Sequence, residues 1–155
     1  MPVPAPYSNP TSSISAVVTN QGRELIAKST LGVVSFQLVG FKVGRDGYDY
    51  TTPDPLSTIP VNPASTDLID PVFPLTGYAP FVTIENPIPN VVAPVCRLNA
   101  NEANYGLGEL GIWANVLVGD IAYPINTKVM FAVAHFPLLA KNDRSNFVFR
   151  VIIAV

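Results

Sequence analysis

The sequence predicts a mainly β protein of the α+β class: an antiparallel β-sandwich or sheet with one N-terminal helix and a long proline-rich loop. Short apolar segments rich in β-branched and aromatic residues fill the second half of the chain, which is typical of paired strands. One segment near the start has the caps and spacing of a helix. With 155 residues, the chain is long enough for one domain with its own core.

Residues 1–13 are predicted to form an extended arm that precedes a single domain over residues 14–155. The arm contains four prolines, which stiffen the backbone and keep it from folding on itself. It has no basic residue, so it does not resemble a secretory signal peptide. Two interpretations stay open: a loose tail, or a segment that docks on a neighbouring subunit.

A helix and a strand follow the arm. The predicted helix has Thr19 or Asn20 as its cap and runs over residues 21–29. Residues 34–43 alternate between apolar and polar side chains, which predicts a strand with a bulge or bend at Gly40.

Residues 45–80 are predicted to form a long proline-rich insertion. The segment contains seven prolines and five aspartates, and proline removes backbone donors that helices and central strands need. Loops of this length in a compact domain are usually functional or linkers. The segment also carries aromatic side chains, which indicate that it packs on another surface: Tyr48, Tyr50, Phe73 and Tyr78.

The second half of the chain is predicted to be a β meander. The predicted strands cover residues 81–85, 91–103, 109–116, 128–136 and 146–155. The last strand has apolar residues at both odd and even positions, so it is expected to be covered on both faces.

Composition favours an assembly protein over an enzyme or a nucleic-acid binder. Apolar residues make up 48% of the chain and charged residues only 13%, so little charge opposes association. A net charge of −2 provides no basic surface for nucleic acid. No apolar run is long enough to cross a membrane. The single Cys96 excludes an internal disulfide and indicates folding in a reducing cytoplasm.

The candidate catalytic residues do not form a recognisable constellation. His135 is interpreted as a half-buried histidine bonded to backbone, and Cys96 as a buried structural thiol. Glu109 lies in an apolar strand, where it either faces solvent or is buried and paired with Arg97 or Arg150. The sequence therefore predicts no enzyme and no catalytic residue.

The acidic segments are interpreted as turns and not as metal or cofactor sites. Residues 45–49 lack the oxygen spacing and the final glutamate of an EF-hand calcium loop. Residues 44–47 are too short to cradle phosphate, and Asp67 and Asp70 are interpreted as solvated charges or caps. No metal and no cofactor is expected.

Four segments nevertheless carry recognisable motifs. They are residues 17–27 (VVTNQGRELIA), like a "(V/L)-T-x-x-G" helix; residues 38–47 (LVGFKVGRDG), like a strand ending in a "V/L-G-D-G" turn; residues 105–113 (YGLGELGIW), like "F-x-x-R-E-L-G-L-Y"; and residues 129–137 (VMFAVAHFP), like "L-I-A-V-A-N", with a closing apolar strand at 149–153. In this order they resemble the N-terminal, tail-attaching domain of bacteriophage tail-collar fibre proteins, from phages with contractile tails. Two positions depart from the family pattern: Arg45 splits the turn, and Gly108 replaces an arginine that often precedes Glu109.

The resemblance covers residues 14–155 and implies the attachment module alone, because fibre proteins continue into a shaft and tip. It implies a structural protein of the virion tail, an adaptor or baseplate component that connects tail fibres to the baseplate and is assembled in the host cytoplasm. Cyclic homo-oligomers are expected, trimers by preference and hexamers in a baseplate ring. The expected partners are baseplate and tail-fibre proteins, with no nucleic acid and no membrane.

Two alternatives stay open. The first is that the chain is another virion component, such as a neck, sheath-terminal or capsid-decorating protein, because the composition fits these equally well. The second is that the chain is a receptor- or carbohydrate-binding module that uses Tyr48, Tyr50 and Tyr78 with the aspartates of the insertion.

Overall fold

One curled β-sheet and one short helix form the regular structure of the residues that the computed structural model describes, 11–48 and 58–155. This part of the chain is mainly β, as the sequence predicts. In chain order the elements are β1 (Thr11–Val18), α1 (Asn20–Thr30), β2 (Ser35–Gly44), β3 (Pro71–Phe73), β4 (Thr83–Glu85), β5 (Val91–Leu98), β6 (Gly106–Val118), β7 (Lys128–Ala140) and β8 (Phe147–Ala154).

The sheet is mixed, not purely antiparallel. Its eight strands lie in the order β3-β2-β6-β7-β1-β8-β5-β4. β1 runs parallel to β8 over residues 11–16, whereas the other neighbouring strands are antiparallel. The expectation of an antiparallel sheet is wrong at this pair, because β1 and β8 are the first and last strands and the long chain between them allows a parallel return. Residues 11–13, which the composition places in the arm, belong to β1; residues 1–10 lie outside the described residues.

The sheet curls until its two ends meet at one point. Phe41 of β2 exchanges both backbone hydrogen bonds with Ala79, and the chain continues from there into β4 at the other end. The Phe41 ring also stacks with Phe81, with 6.4 Å between the ring centroids. The inner surface of the curl encloses the main core, whose fully buried side chains include Leu25, Phe41, Leu98, Leu107, Leu110, Ile112 and Ile153.

Residues 58–70, together with Tyr78, form a second layer on the outer face of β6 and β7. Leu68 in this layer packs with Trp113, Met130 and Val133 in a separate small core. The described part of the proline-rich insertion is therefore packed on the sheet; residues 49–57 lie outside the described residues. Because of this layer, β6 and β7 are largely buried on both faces.

The prediction of two covered faces for the last strand holds for one face in this single chain. Phe149, Val151 and Ile153 of β8 point into the core, whereas the residues between them are partly exposed. Among the described residues, the outer layer covers β6 and β7 and not the outer face of β8.

Thr19 fixes the start of α1. Its hydroxyl accepts a hydrogen bond from the Gly22 amide at 3.0 Å and donates one to the Met130 carbonyl on β7 at 2.6 Å. The side chain is fully buried, so the same group caps the helix and ties it to the sheet. α1 is one residue longer at each end than the predicted helix, and it follows β1 instead of opening the fold. Leu25 places the apolar side of the helix in the core.

Thr19→Ala is expected to lower the free energy of unfolding by about 1–2 kcal/mol, because it removes an N-cap and leaves buried backbone groups without partners. The control is Thr30→Ala, since the exposed Thr30 hydroxyl donates only to the Ile26 carbonyl within the same helix. Its expected change is below about 0.5 kcal/mol. Urea unfolding measures both variants, and equal losses would contradict the role of Thr19 as a tie.

Candidate functional site

Glu109 on β6 is the centre of the most highly constrained polar site among the described residues. Its side chain is fully buried. One carboxylate oxygen accepts from the Ile69 amide at 2.7 Å, and the other accepts from the Asp70 amide at 2.9 Å and the Asp46 amide at 3.3 Å. These three backbone donors satisfy a carboxylate that would otherwise be costly to bury. We call Glu109 and these three amides the Glu109 clamp.

Of the two alternatives for Glu109, exposure to solvent or burial with an arginine partner, the structure shows burial, but backbone amides take the place of the arginine. Arg150 instead pairs with Glu85, at 3.1 Å between Nε and Oε1. The clamp therefore holds backbone from two loops, 45–48 and 58–70, and not a side-chain cation. Because both oxygens of Glu109 are already engaged, the arrangement anchors loops and is poorly placed to move protons.

Two glycines allow the loop to lie directly on β6. A side chain at Gly108 would collide with the Asp46 carbonyl and with the Tyr48 ring. Gly47 has φ +103, a conformation that disfavours other residues, and faces the Gly108 carbonyl. Gly108 thus accommodates the turn that contains Arg45.

His135 lies opposite Glu109 on β7. Its Nδ1 is 2.8 Å from the Ile59 carbonyl, so the prediction of a half-buried histidine bonded to backbone is confirmed. With Glu109 and Asp67 it lines a cavity of about 250 Å³ beneath the outer layer. This contact with Ile59 ties a second point of the 58–70 loop to the sheet, in addition to residues 69 and 70.

Cys96 and His135 do not form a nucleophile–base pair. Cys96 is buried in the main core on β5, and burial raises the pKa of its thiol well above the usual range. Strands β1 and β8 lie between β5 and β7 in the sheet. His135 faces the outer layer instead.

The acidic turns use their carboxylates locally. Asp46 Oδ1 accepts from the Gly47 amide and Asp67 Oδ1 from the Leu68 amide, both at 2.8 Å. Asp49 and Tyr50 lie outside the described residues. Within residues 11–48 and 58–155, no group of three or more histidine, cysteine, aspartate or glutamate side chains is arranged to hold a metal ion. In the same residues, no helix is long and apolar enough to cross a membrane.

Tyr78 is part of a stacked group on the outer face of the sheet. Its ring stacks on Trp113 with 5.7 Å between centroids, and Lys42 Nζ lies 5.3 Å from the Tyr78 ring and 4.6 Å from the Trp113 ring. Partial burial, with the nearby negative charge of Asp67, raises the pKa of Tyr78. The faces that a sugar platform needs are therefore partly taken by these contacts.

An apolar patch lies at the end of the sheet where α1, β2 and the β6–β7 turn come together. Val33 precedes the start of β2, and Ser35 there pairs in register with Val118. Large exposed aliphatic groups in one place are unusual for a monomer and mark interaction surfaces. We call these residues the end patch: Leu31 (77% exposed), Val33 (46%), Val118 (59%), Ile121 (100%) and Ile125 (64%).

Polar contacts hold the turn that carries the patch. Lys28 on α1 contacts Asp120 at 2.6 Å between Nζ and Oδ2, and Asp120 also accepts from the Tyr123 amide at 2.8 Å. The Tyr123 hydroxyl donates to Glu24 at 2.7 Å. Burial and this bond to a carboxylate raise the pKa of Tyr123 to about 12. The polar side chains are thus used to fix the turn while Ile121 and Ile125 face solvent.

Sequence reasoning missed this patch. Residues 121–126 carry no periodic signal, because the apolar residues of this turn belong to no strand. Two isoleucines around Pro124, in a segment bounded by Gly119 and Asn126, are the signal that could have found it.

Sequence reasoning also missed Lys141. This lysine is buried, and its Nζ donates to three oxygens at 2.8–3.1 Å on the 99–105 turn and at Asn142.

The fold and these sites define a mainly β chain with a packed outer layer and an exposed apolar end. Comparison of the chain with protein-family models, with curated proteins and with solved structures found no match in any of the three.

Glu109→Gln is expected to lower the free energy of unfolding by about 2–3 kcal/mol, because the new amide group would face backbone N–H donors. It should also speed proteolysis within residues 58–70. Glu85→Gln is the control, since Glu85 is 40% exposed and its pair with Arg150 is screened by solvent, with an expected loss below about 1 kcal/mol. Similar stability and cleavage rates for the two variants would contradict the clamp.

Tyr123 predicts a specific alkaline loss of stability. The folded pKa of about 12 lies above the ordinary tyrosine value, so its contribution is complete below about pH 10 and is lost as pH rises to about 12. Tyr123→Phe lacks this titration. The difference in unfolding free energy between the two proteins should therefore be constant from pH 7 to about 10 and shrink above it. A constant difference up to pH 12 would contradict the raised pKa of Tyr123.

Proposed function

We propose that this chain is a structural virion protein of a phage tail, an adaptor or baseplate component that connects tail fibres to the baseplate. The end patch carries the proposal. Its five aliphatic residues are held outward by a polar network, which suits a permanent subunit contact. The low charged fraction of the chain fits the same role.

The arrangement of the motifs supports the family resemblance. The segments at 38–47, 105–113 and 129–137 lie on the adjacent strands β2, β6 and β7. Their distinctive residues contact one another, because Glu109 accepts from the Asp46 amide and pairs in register with His135. Motifs that meet around one buried carboxylate are more readily explained as one inherited unit than as three chance matches.

The finer features of the proposal follow from the same role. The two halves of the curled sheet face each other as in a sandwich, with α1 at one end and the proline-rich insertion outside. The chain acts without catalysis, as cyclic copies, three by preference and six around a baseplate. It resides in the virion tail after assembly in the host cytoplasm. The end patch would equally serve a neck or capsid-decorating protein, so the test must locate the chain.

Particles produced from the genome that encodes the chain are expected to carry it at the distal end of the tail, where gold-labelled antibody should bind in electron micrographs. Ile121→Asp is expected to reduce the amount of chain per particle at least tenfold, because a charge cannot be buried in an apolar contact at low cost. Leu75→Asp is the matched control: Leu75 is 93% exposed and lies near β3, at the other end of β2.

Gold at the neck or capsid would move the chain to another virion position. Particles without the chain would contradict the virion proposal. Equal incorporation of the Ile121 and Leu75 variants would contradict the role of the end patch. The location of the wild-type chain would then decide the virion proposal alone.

A further inference from the structure

The curled sheet does not close along its whole length. β2 bonds to β6 on one side along its full length, but on its other side it pairs only at Phe41 with Ala79 and at residues 43–44 with β3. Within residues 11–48 and 58–155, no strand pairs with that side of β2 over residues 35–39. The outer edge of β4 is also without a neighbour in the described sheet.

A groove lies between these two open edges. It has a volume of about 490 Å³, and its walls include Phe36 and Leu38 of β2 and Ile84 of β4. Ile26 of α1 and Val155 also line a second cavity of about 480 Å³, so the two cavities share part of their lining. Among the described residues, no charged side chain lines the groove of about 490 Å³. We call it the seam groove; its lining residues are Ile26, Ser29, Thr30, Phe36, Gln37, Leu38, Ile84, Val92, Phe131 and Val155.

Backbone hydrogen-bonding groups of β2 face into the groove. Val116 on β6 donates to the Thr127 carbonyl and accepts from the Asn126 amide, so its backbone groups point away from β2. Its register partner Phe36 is therefore in a non-hydrogen-bonded pair and directs its own N–H and C=O to the open side. Leu38, two residues further along the strand, has the same orientation.

The β4 edge is open in the same way. Ile84 pairs in register with Pro94, which has no N–H to donate. Because backbone orientation alternates along a strand, Thr83 and Glu85 face β5 and Ile84 faces the groove. Unpaired edges with an apolar lining between them are a site for an added strand.

Residues 2–7 have an unusual pattern that fits one such edge. Proline occupies positions 2, 4 and 6, so every N–H in the stretch Pro-Val-Pro-Ala-Pro-Tyr belongs to residue 3, 5 or 7. In an extended strand these three amides point to the same side, and the proline side offers no donor to a further strand. Residues 2–10 contain no charged side chain, which matches the uncharged groove.

A chain cannot readily place its own arm there. Residues 1–10 join β1 at Thr11, which lies beside Val148 at the start of β8. The groove lies beyond the other end of β8, at Val155. The run back along β8 spans seven residues, about 23 Å, and ten extended residues reach only about 33 Å. A reversing turn and the crossing of β8 and β5 consume the remainder, which leaves no residues to pair.

We propose that the seam groove receives residues 2–7 of a second copy of this chain, which pair through the amides of Val3, Ala5 and Tyr7 with the open edge of β2. Each copy gives its arm to one neighbour and receives an arm from another. Such a head-to-tail contact generates rings when the rotation between copies closes. This contact is independent of the virion proposal, because it involves only copies of the chain.

The test uses the full chain, a variant that lacks residues 1–10, and fluorescent peptides with the sequence of residues 1–10. The full chain is expected to associate in sedimentation equilibrium, and the shortened chain to be monomeric. The shortened chain should bind the peptide one to one, as measured by fluorescence anisotropy. Ile84→Arg should block binding and Ile88→Arg, exposed but outside the groove, should not.

N-methylation of the peptide gives the sharpest comparison. N-methyl-Ala5 removes an amide that points to β2 and is expected to weaken binding about tenfold. N-methyl-Ser8 adds the same methyl group on the proline side and is expected to leave affinity unchanged. Equal affinity of the two peptides would overturn the strand pairing. A shortened chain that does not bind the peptide, or a full chain that is monomeric, would overturn the exchange of arms between copies.

Discussion

A fully buried carboxylate in the middle of an apolar strand constrains much of this fold. Glu109 must be hydrogen-bonded where it lies, and β-sheet neighbours have already used their own amides in the ladder. The donors come instead from the turn after β2 and from residues 69 and 70. Two loops that are far apart in sequence are thereby brought onto the same strand.

The outer layer depends on this attachment. Once residues 69 and 70 are held at Glu109, the chain before and after them lies across β6 and β7. Leu68 then shields Trp113 and Met130, and Tyr78 stacks beside them. Gly108 is also needed for this arrangement, because the turn after β2 could not approach β6 over a larger side chain. A polar contact and a missing side chain thus decide where a proline-rich segment packs.

On the opposite side of the sheet, residues 79–85 pair with two different strands, β2 and β5. Residues 79–85 begin by pairing with β2 at Phe41, but the Val82 amide already bonds to Val95 of β5. The sheet is therefore closed where Phe41 pairs with Ala79, and it is open between β2 and β4. The seam groove is the gap between these two strands. It and the end patch both adjoin the α1–β2 connection.

The sequence by itself determined the local elements. Apolar–polar alternation located β2, short apolar segments located β5, β6, β7 and β8, and the threonine cap located α1, because these signals arise within a few neighbouring residues. It also indicated that His135 would bond to backbone and that Cys96 would be buried. Only the tertiary structure decided the parallel β1–β8 pair, the partners of Glu109 and the end patch. Strand pairing, loop docking and exposure depend on residues up to 137 positions apart, as between Thr11 and Val148, and no local pattern records which distant donor will reach a buried acceptor.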